Sequence, residues 1–185
     1  MNVYSKFVLG YEPLGSVYKP TSVEGNIIHE LNGQPAFDVY RRYLKINNNE
    51  HFFFNTLGFP MIMTENGIDY LKVPIQVLED ESLVMSAPIS PNSLIRLSYG
   101  NPSIMLRNID KIGDGLAEFG PEAIRIFSCF TRKMYWGDED VSNETKHLAD
   151  VAPTSGFYTK GELLRLAKPI SLLNATLVVI GLREG

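Results

Sequence analysis

Between Phe59 and Tyr99 the chain carries four short apolar runs, Met61 to Thr64, Tyr70 to Leu78, Ser82 to Ala87 and Leu94 to Ser98. They are separated only by Asn66-Gly67, Glu79-Asp80-Glu81 and Ser90-Pro91-Asn92. A parallel strand pair needs a crossover of about a dozen residues or more, so breaks this short leave antiparallel pairing. This stretch fixes the character of the sheet.

The flanking segments add further strands and the helices. Ser16 to Ser22 and Asn26 to Leu31 read as strands, with Glu24-Gly25 as the hairpin turn between them. Tyr11-Glu12-Pro13-Leu14-Gly15 reads as a turn, and Asn32-Gly33 as another. Pro35 suits the first turn of a helix on which Phe37, Tyr40 and Leu44 recur at three- and four-residue spacing. Tyr40 and Tyr43 then share a face that belongs to the core. Asn49 is placed to cap a short helix containing Phe52-Phe53-Phe54, a cluster best explained as core packing. Ile104, Leu106, Ile109, Ile112, Leu116 and Phe119 mark an amphipathic helix stopped by Gly120-Pro121. Ala123 to Phe130 is a buried strand, Asp138 to Val151 a second helix, rich in acids at its start as the helix dipole favours, and Leu177 to Arg183 the closing strand. The expected fold class is α+β: a mostly antiparallel β-sheet with helices packed on it.

Composition excludes several function classes. The 17 Lys and Arg are scattered among 21 acids, for a net charge of −4, so the basic face that nucleic acid requires is missing. One cysteine excludes an internal disulfide and a cysteine-rich zinc site, and leans toward a reducing, cytoplasmic setting. No apolar run reaches membrane-spanning length, so no membrane contact is expected of this segment. The acidic run Glu79-Asp80-Glu81 reads as a solvated turn, and no metal site or cofactor is expected.

The chemistry concentrates near the C-terminus. Thr154-Ser155-Gly156-Phe157-Tyr158-Thr159-Lys160-Gly161-Glu162 brackets an aromatic, hydroxyl and cationic run between glycines, and Asn174 and Thr176 sit at the mouth of the apolar run that follows. Such a segment can recognise a small molecule, with Tyr158 and Thr159 lining the site and Asn174 orienting an amide; for Asn174 the alternative is capping the strand entry. Arg132 can clamp a carboxylate in a bidentate fork, or form a salt bridge to Glu162 or to an acid among Asp138 to Asp140. If Arg132 and Glu162 share the pocket, they match an amino acid at both ends. Cys129 stands three residues before Arg132, but a nucleophile needs a base, and His29, His51 and His147 lie in unrelated settings. A non-catalytic pocket or core role is expected for it. No phosphate-binding glycine loop, HExxH, GxSxG or paired catalytic carboxylates is present.

In register along the chain stand Gly33-Gln34-Pro35-Ala36 with Tyr40 and Tyr43-Leu44, Leu57-Gly58-Phe59-Pro60, Phe127-Ser128-Cys129 with Arg132, and Gly156-Phe157-Tyr158-Thr159, Gly161-Glu162 and Asn174-x-Thr176. Together they resemble the FIST C-terminal domain from roughly Gly10 to Glu184. The resemblance implies that residues 1–30 are the end of a preceding FIST N-terminal module and 31–185 the C-terminal sensory domain, so that the chain reads as a piece of something longer. It also implies a small-molecule-binding, amino-acid-sensing input domain of a bacterial signal-transduction protein. The implied partners are the FIST N-terminal module and an output module of the diguanylate cyclase (GGDEF), histidine kinase or chemoreceptor kind. Two alternatives follow: a protein-interaction module, which would expose an apolar patch without an enclosed pocket, and a Cys129-dependent enzyme, which would hold the thiol in a cleft beside a base.

Overall fold

The computed structural model describes residues 1–65, 67–140, 143–164 and 171–185, with the side chains of 138–140 and 171 outside the description. The chain forms two compact units, Met1–Tyr11 with Gly100–Gly185, and Glu12–Tyr99. After β1 (Asn2–Val8), which belongs to the first unit, come β2 (Tyr11–Tyr18), β3 (Pro20–Glu24), β4 (Ile27–Leu31), β5 (Gln34–Pro35), α1 (Asp38–Leu44) and α2 (Phe52–Thr56). The second unit closes with β6 (Met61–Glu65), β7 (Ile68–Lys72), β8 (Pro74–Val77), β9 (Leu83–Met85) and β10 (Leu94–Gly100).

The antiparallel reading of this unit holds at three hairpins, whereas the strands either side of Ser90-Pro91-Asn92, β9 and β10, lie in different sheets. β3 pairs with β4, β6 with β7 and β8 with β9, all antiparallel. Of the Asn66-Gly67 turn, Asn66 lies outside the described residues. Two expectations are corrected. Tyr11–Gly15 is not a turn but the first half of β2, which lies at the edge of the sheet β2-β10-β6-β7; an edge position tolerates Pro13, whose missing N–H costs no ladder bond there. Pro35 does not start a helix, because Gln34 and Pro35 first pair back on Leu31 and Glu30, and α1 begins only at Asp38. The core gathers Ile28, Leu31, Phe37, Tyr40, Phe52, Met61, Leu83 and Leu97. Phe52 meets the rings of Phe37 and Tyr40 edge-on at 5.7 and 5.8 Å. Phe54 and Tyr43 instead lie exposed, so the aromatic run and the tyrosine pair are each core at one position only.

The first unit carries α3 (Pro102–Phe119), β11 (Ala123–Cys129), α4 (Phe130–Asp140), α5 (Asn143–Val151), β12 (Thr154–Thr159), β13 (Glu162–Leu164), β14 (Ser171–Leu173) and β15 (Leu177–Arg183). Helix α3 starts where the Asn101 side chain accepts from Ile104 N–H at 3.3 Å with proline in the first turn, and stops at left-handed Gly120, φ 67°. Its stripe of Met105, Ile109, Ile112 and Leu116 is buried. The sheet runs β1-β15-β11-β12, antiparallel except for the parallel pair β11–β12. Ile124 and Ile126 join Ile109, Leu116 and Leu148 in the core, which puts the even-numbered residues of β11 under the helices. Phe127 faces the other way and stacks edge-on against Phe157 at 5.2 Å.

The second helix was expected over Asp138–Val151. The structure instead has α5 from Asn143, residues 141–142 lie outside the description, and a helix the sequence did not announce, α4, follows β11 directly. Phe130–Trp136 has no strong apolar stripe, so nothing in its periodicity separates it from the strand before it. α4 bends at Gly137, where φ is 74°.

Gly156 of β12 lies opposite Ile126 in the parallel register, so close that a Cβ would stand 2.0 Å from the Ile126 carbonyl oxygen. That oxygen is backbone and cannot step aside. Gly156→Ala is therefore expected to lower the stability of this unit by about 1–3 kcal/mol, read as a drop in urea midpoint; an unchanged midpoint would show that β12 shifts freely at this position.

Candidate functional site

The C-terminal ends of β11 and β12 and the start of β15 meet at one level of the sheet, and most of the expected site residues are found there. Thr159 ends β12, left-handed Gly161 turns the chain, and Glu162 opens β13. Glu162 is 3% exposed. The Thr159 hydroxyl bonds one of its carboxyl oxygens and Thr176 Oγ1 lies 2.7 Å from the other. Thr159 Oγ1 also donates to the Ser128 carbonyl at 3.2 Å. A hydroxyl has one proton, so when Thr159 gives it to Ser128, Glu162 must supply the proton between them. The electrostatics agree: burial raises the Glu162 pKa, against the hydrogen bonds of Thr159, Thr176 and Cys129, which lower it.

Cys129 completes this cluster. It is buried, with Sγ 3.0 Å from Thr131 Oγ1. Burial pushes the thiol pKa up, and the Glu162 charge adds to the rise. The thiolate is the nucleophilic form, so this environment suppresses the reactivity a nucleophile needs.

Arg132 is placed differently from either expectation. It sits in the first turn of α4 rather than at a strand end and is 0% exposed. Its guanidinium pairs with Glu144 of α5 and donates to the carbonyls of Leu9 at 2.6 Å and Ala175 at 3.2 Å. The salt-bridge partner is thus Glu144, not Glu162, and the side chains of 138–140 lie outside the description. The two-ended match to an amino acid built on Arg132 and Glu162 draws no support from this geometry: the terminal nitrogens of Arg132 are taken up by Glu144 and two backbone carbonyls, and Glu162 is bonded by hydroxyls.

The cavity lies on the helix side of the same strands. It measures about 270 Å³ and is lined by Ile126 and Ser128 of β11, Thr154 through Tyr158 of β12, and Glu144, Thr145 and Ala149 of α5. Of the residues singled out in the sequence, Tyr158 lines it; Cys129, Arg132, Thr159, Glu162 and Asn174 do not. Arg132 acts on the cavity through Glu144, which it holds in the wall. Lys133 stands over the Tyr158 ring at 5.4 Å. Ser128 was missed, although strand alternation from Ile124 and Ile126 puts it on the same buried face. Glu144 and Thr145 lie inside the helix expected over Asp138–Val151, and nothing in the sequence marks which of its residues meet β12.

Five buried side-chain polar atoms have no partner among the described residues: Tyr11 Oη, Ser128 Oγ, Arg132 Nε, Trp136 Nε1 and Asn174 Nδ2. All belong to this unit, and Tyr11 lies close enough to Arg132, Cys129 and Glu144 to feel their charges. Buried polar atoms are almost always paired, so each such group needs an explanation. Ser128 Oγ is the one on a residue that lines the cavity. Among the described residues no group of three or more His, Cys, Asp or Glu could hold a metal ion, and no helix is long and apolar enough to cross a membrane.

A family model, the FIST C domain, matches residues 36–165, well over half of the chain. The chain belongs to the FIST C family. This family is associated with sensory domains of signalling proteins. The match takes in Cys129, Arg132, Glu144, Tyr158 and Glu162 and stops short of Asn174 and Thr176. No curated protein and no solved structure matches this FIST C chain. The family seam expected near residue 30 divides modules, whereas the two compact units divide packing, so the units do not bear on that boundary.

Two outcomes follow for the FIST C site. Glu162 has a folded pKa above its ordinary 4.5, so the folded chain holds its proton as pH rises past 4.5 while the unfolded chain releases it. Its contribution is complete at low pH and is lost as pH rises through the folded value. Glu162→Gln removes that loss, so the variant's melting temperature should gain on the wild type as pH climbs from 4.5 toward neutrality; a constant gap would mean Glu162 is ionised in the folded state. Breaking the buried pair with Arg132→Ala should cost about 3–5 kcal/mol, while the apolar double replacement Arg132→Met, Glu144→Leu costs less than that single change. Urea denaturation of the cycle decides it, and a double variant as weak as the sum of its singles would contradict the pairing.

Proposed function

We propose that this FIST C module is a sensory input domain that binds a small molecule in the cavity between β11, β12 and α5. The carrying observation is Ser128, a 5% exposed residue whose hydroxyl has no partner among the described residues, on a wall that also includes the hydroxyl-bearing Thr145, Thr154, Ser155 and Tyr158. Concave sites with a few convergent polar groups on an apolar lining are the usual form of ligand sites. Binding would act by favouring one conformation of the module, which an attached output domain of the diguanylate cyclase, histidine kinase or chemoreceptor kind then reads, with a FIST N-terminal module alongside.

The raised thiol pKa of Cys129 and its place outside the cavity lining support a non-catalytic role. The interaction-module reading draws support from the exposed Phe157 and Leu163, but it anticipates no cavity, and the buried Ser128 hydroxyl favours the sensor. Amino acids remain members of the ligand panel rather than its centre, since Arg132 does not line the cavity.

The test is a thermal-shift screen of amino acids, nucleobases, sugars and small amides, with Ala149→Trp as the control. Ala149 is an exposed lining residue of α5, so the indole fills the cavity while the ligand-free melting temperature stays within about 2–4 °C. Ligands that stabilise the wild type in proportion to their concentration should lose that effect in Ala149→Trp. Shifts that survive the substitution, or silence across the panel, would overturn the reading.

A further inference from the structure

Resting on that reading, we propose that the β11–β12–α5 cavity selects an uncharged, hydrogen-bonding molecule and rejects ions and zwitterions. Among the described lining residues one side chain is charged, Glu144, and its charge is already balanced by Arg132 with both groups buried. A cationic ligand could be matched only by drawing Glu144 off Arg132, which would leave a fully buried guanidinium without its counter-charge. An anionic ligand would face the Glu144 carboxylate. Two cations that touch lining residues work outside the cavity: Lys133 stands over the Tyr158 ring, Arg125 bonds the Ser155 hydroxyl, and neither lines the cavity. A zwitterion carries both penalties at once.

What the lining does offer is neutral. Ser128 Oγ can donate and accept, and it has no hydrogen-bond partner among the described residues. A site built around such a hydroxyl discriminates strongly for a ligand that completes it, because a ligand without the matching group leaves it unpaired. The volume is about that of nine liquid waters, which suits a small amide, a nucleobase or a short polyol. Since Ser128 Oγ bonds to none of the described residues, its hydroxyl is expected to serve binding rather than folding. Removing it should weaken the complex and leave the free protein intact, which separates a ligand contact from a structural one.

The experiment uses four congeners of one skeleton: N-acetylalaninamide, which is uncharged, N-acetylalanine, an anion, alaninamide, a cation, and alanine, the zwitterion. Affinity is read from titrations of the backbone amide NMR signals of Ser128, Ala149, Gly156 and Tyr158. N-acetylalaninamide is expected to bind at least about tenfold more tightly than each charged congener, and Ser128→Ala to weaken it about tenfold or more without lowering the ligand-free melting temperature. A charged congener that matches the neutral one would overturn the selectivity while leaving the cavity a ligand site. Failure of all four to move those signals would overturn it too, and the broader screen with Ala149→Trp would then decide the sensory reading separately. A Ser128→Ala variant that melts lower and binds unchanged would reassign the hydroxyl to folding.

Discussion

The buried pair of Arg132 and Glu144 holds the candidate site together. Through one guanidinium the first turn of α4 is tied to α5, to the carbonyl of Leu9 after β1, and to the carbonyl of Ala175, a residue in left-handed conformation at φ 52° just before β15. Two charges out of water cost several kcal/mol each unless their geometry and extra hydrogen bonds compensate, and here two backbone acceptors supply that compensation. The pair gives a place rather than a large net stabilisation: it fixes where α5 stands against β12, and the cavity is the space between them. An apolar pair could hold the helix as firmly, but would remove the carboxylate from the wall.

On the other side of the sheet end, Glu162 with Thr159, Thr176 and Cys129 makes a second polar centre of a different kind. Burial raises the pKa of its carboxyl, against the hydrogen bonds of Thr159, Thr176 and Cys129, which lower it. That arrangement joins the ends of β11, β12 and β15 through one carboxyl. It accounts for hydroxyls on both sides of Gly161-Glu162 in terms of folding, and it frees the opposite face of β11 and β12 for recognition. Ser128 and Cys129, adjacent in sequence, therefore serve opposite faces of one strand: Ser128 belongs to the cavity wall and the Cys129 thiol lies beside the carboxyl.

The architecture was largely legible. Short polar breaks between apolar runs gave three antiparallel hairpins but not the jump between sheets at Ser90-Pro91-Asn92, and the stripe Ile109, Ile112, Leu116 ending at Gly120 gave α3. Local signals failed where pairing partners overrode them: Tyr11–Gly15 became strand because an edge accepts its proline, and Pro35 was captured by β4 before the helix could start. The site was legible as a region but not as a set. Gly156 to Glu162 does surround the functional level of the sheet, yet polar residues alternate between two faces of a strand, and only the register with β11 says which face holds space. Arg132 looked like a ligand clamp because its partner, Glu144, lies twelve residues on across a bend that no periodicity reveals.

The account turns on whether the space beneath β12 receives a neutral molecule at Ser128. A crystal of the protein soaked in acetamide tests this most directly. The account predicts acetamide between β11, β12 and α5, hydrogen-bonded to Ser128 Oγ, with the Arg132–Glu144 pair undisturbed. Density elsewhere with this cavity empty, or α5 packed down so that Ser128 bonds to the protein itself, would contradict it.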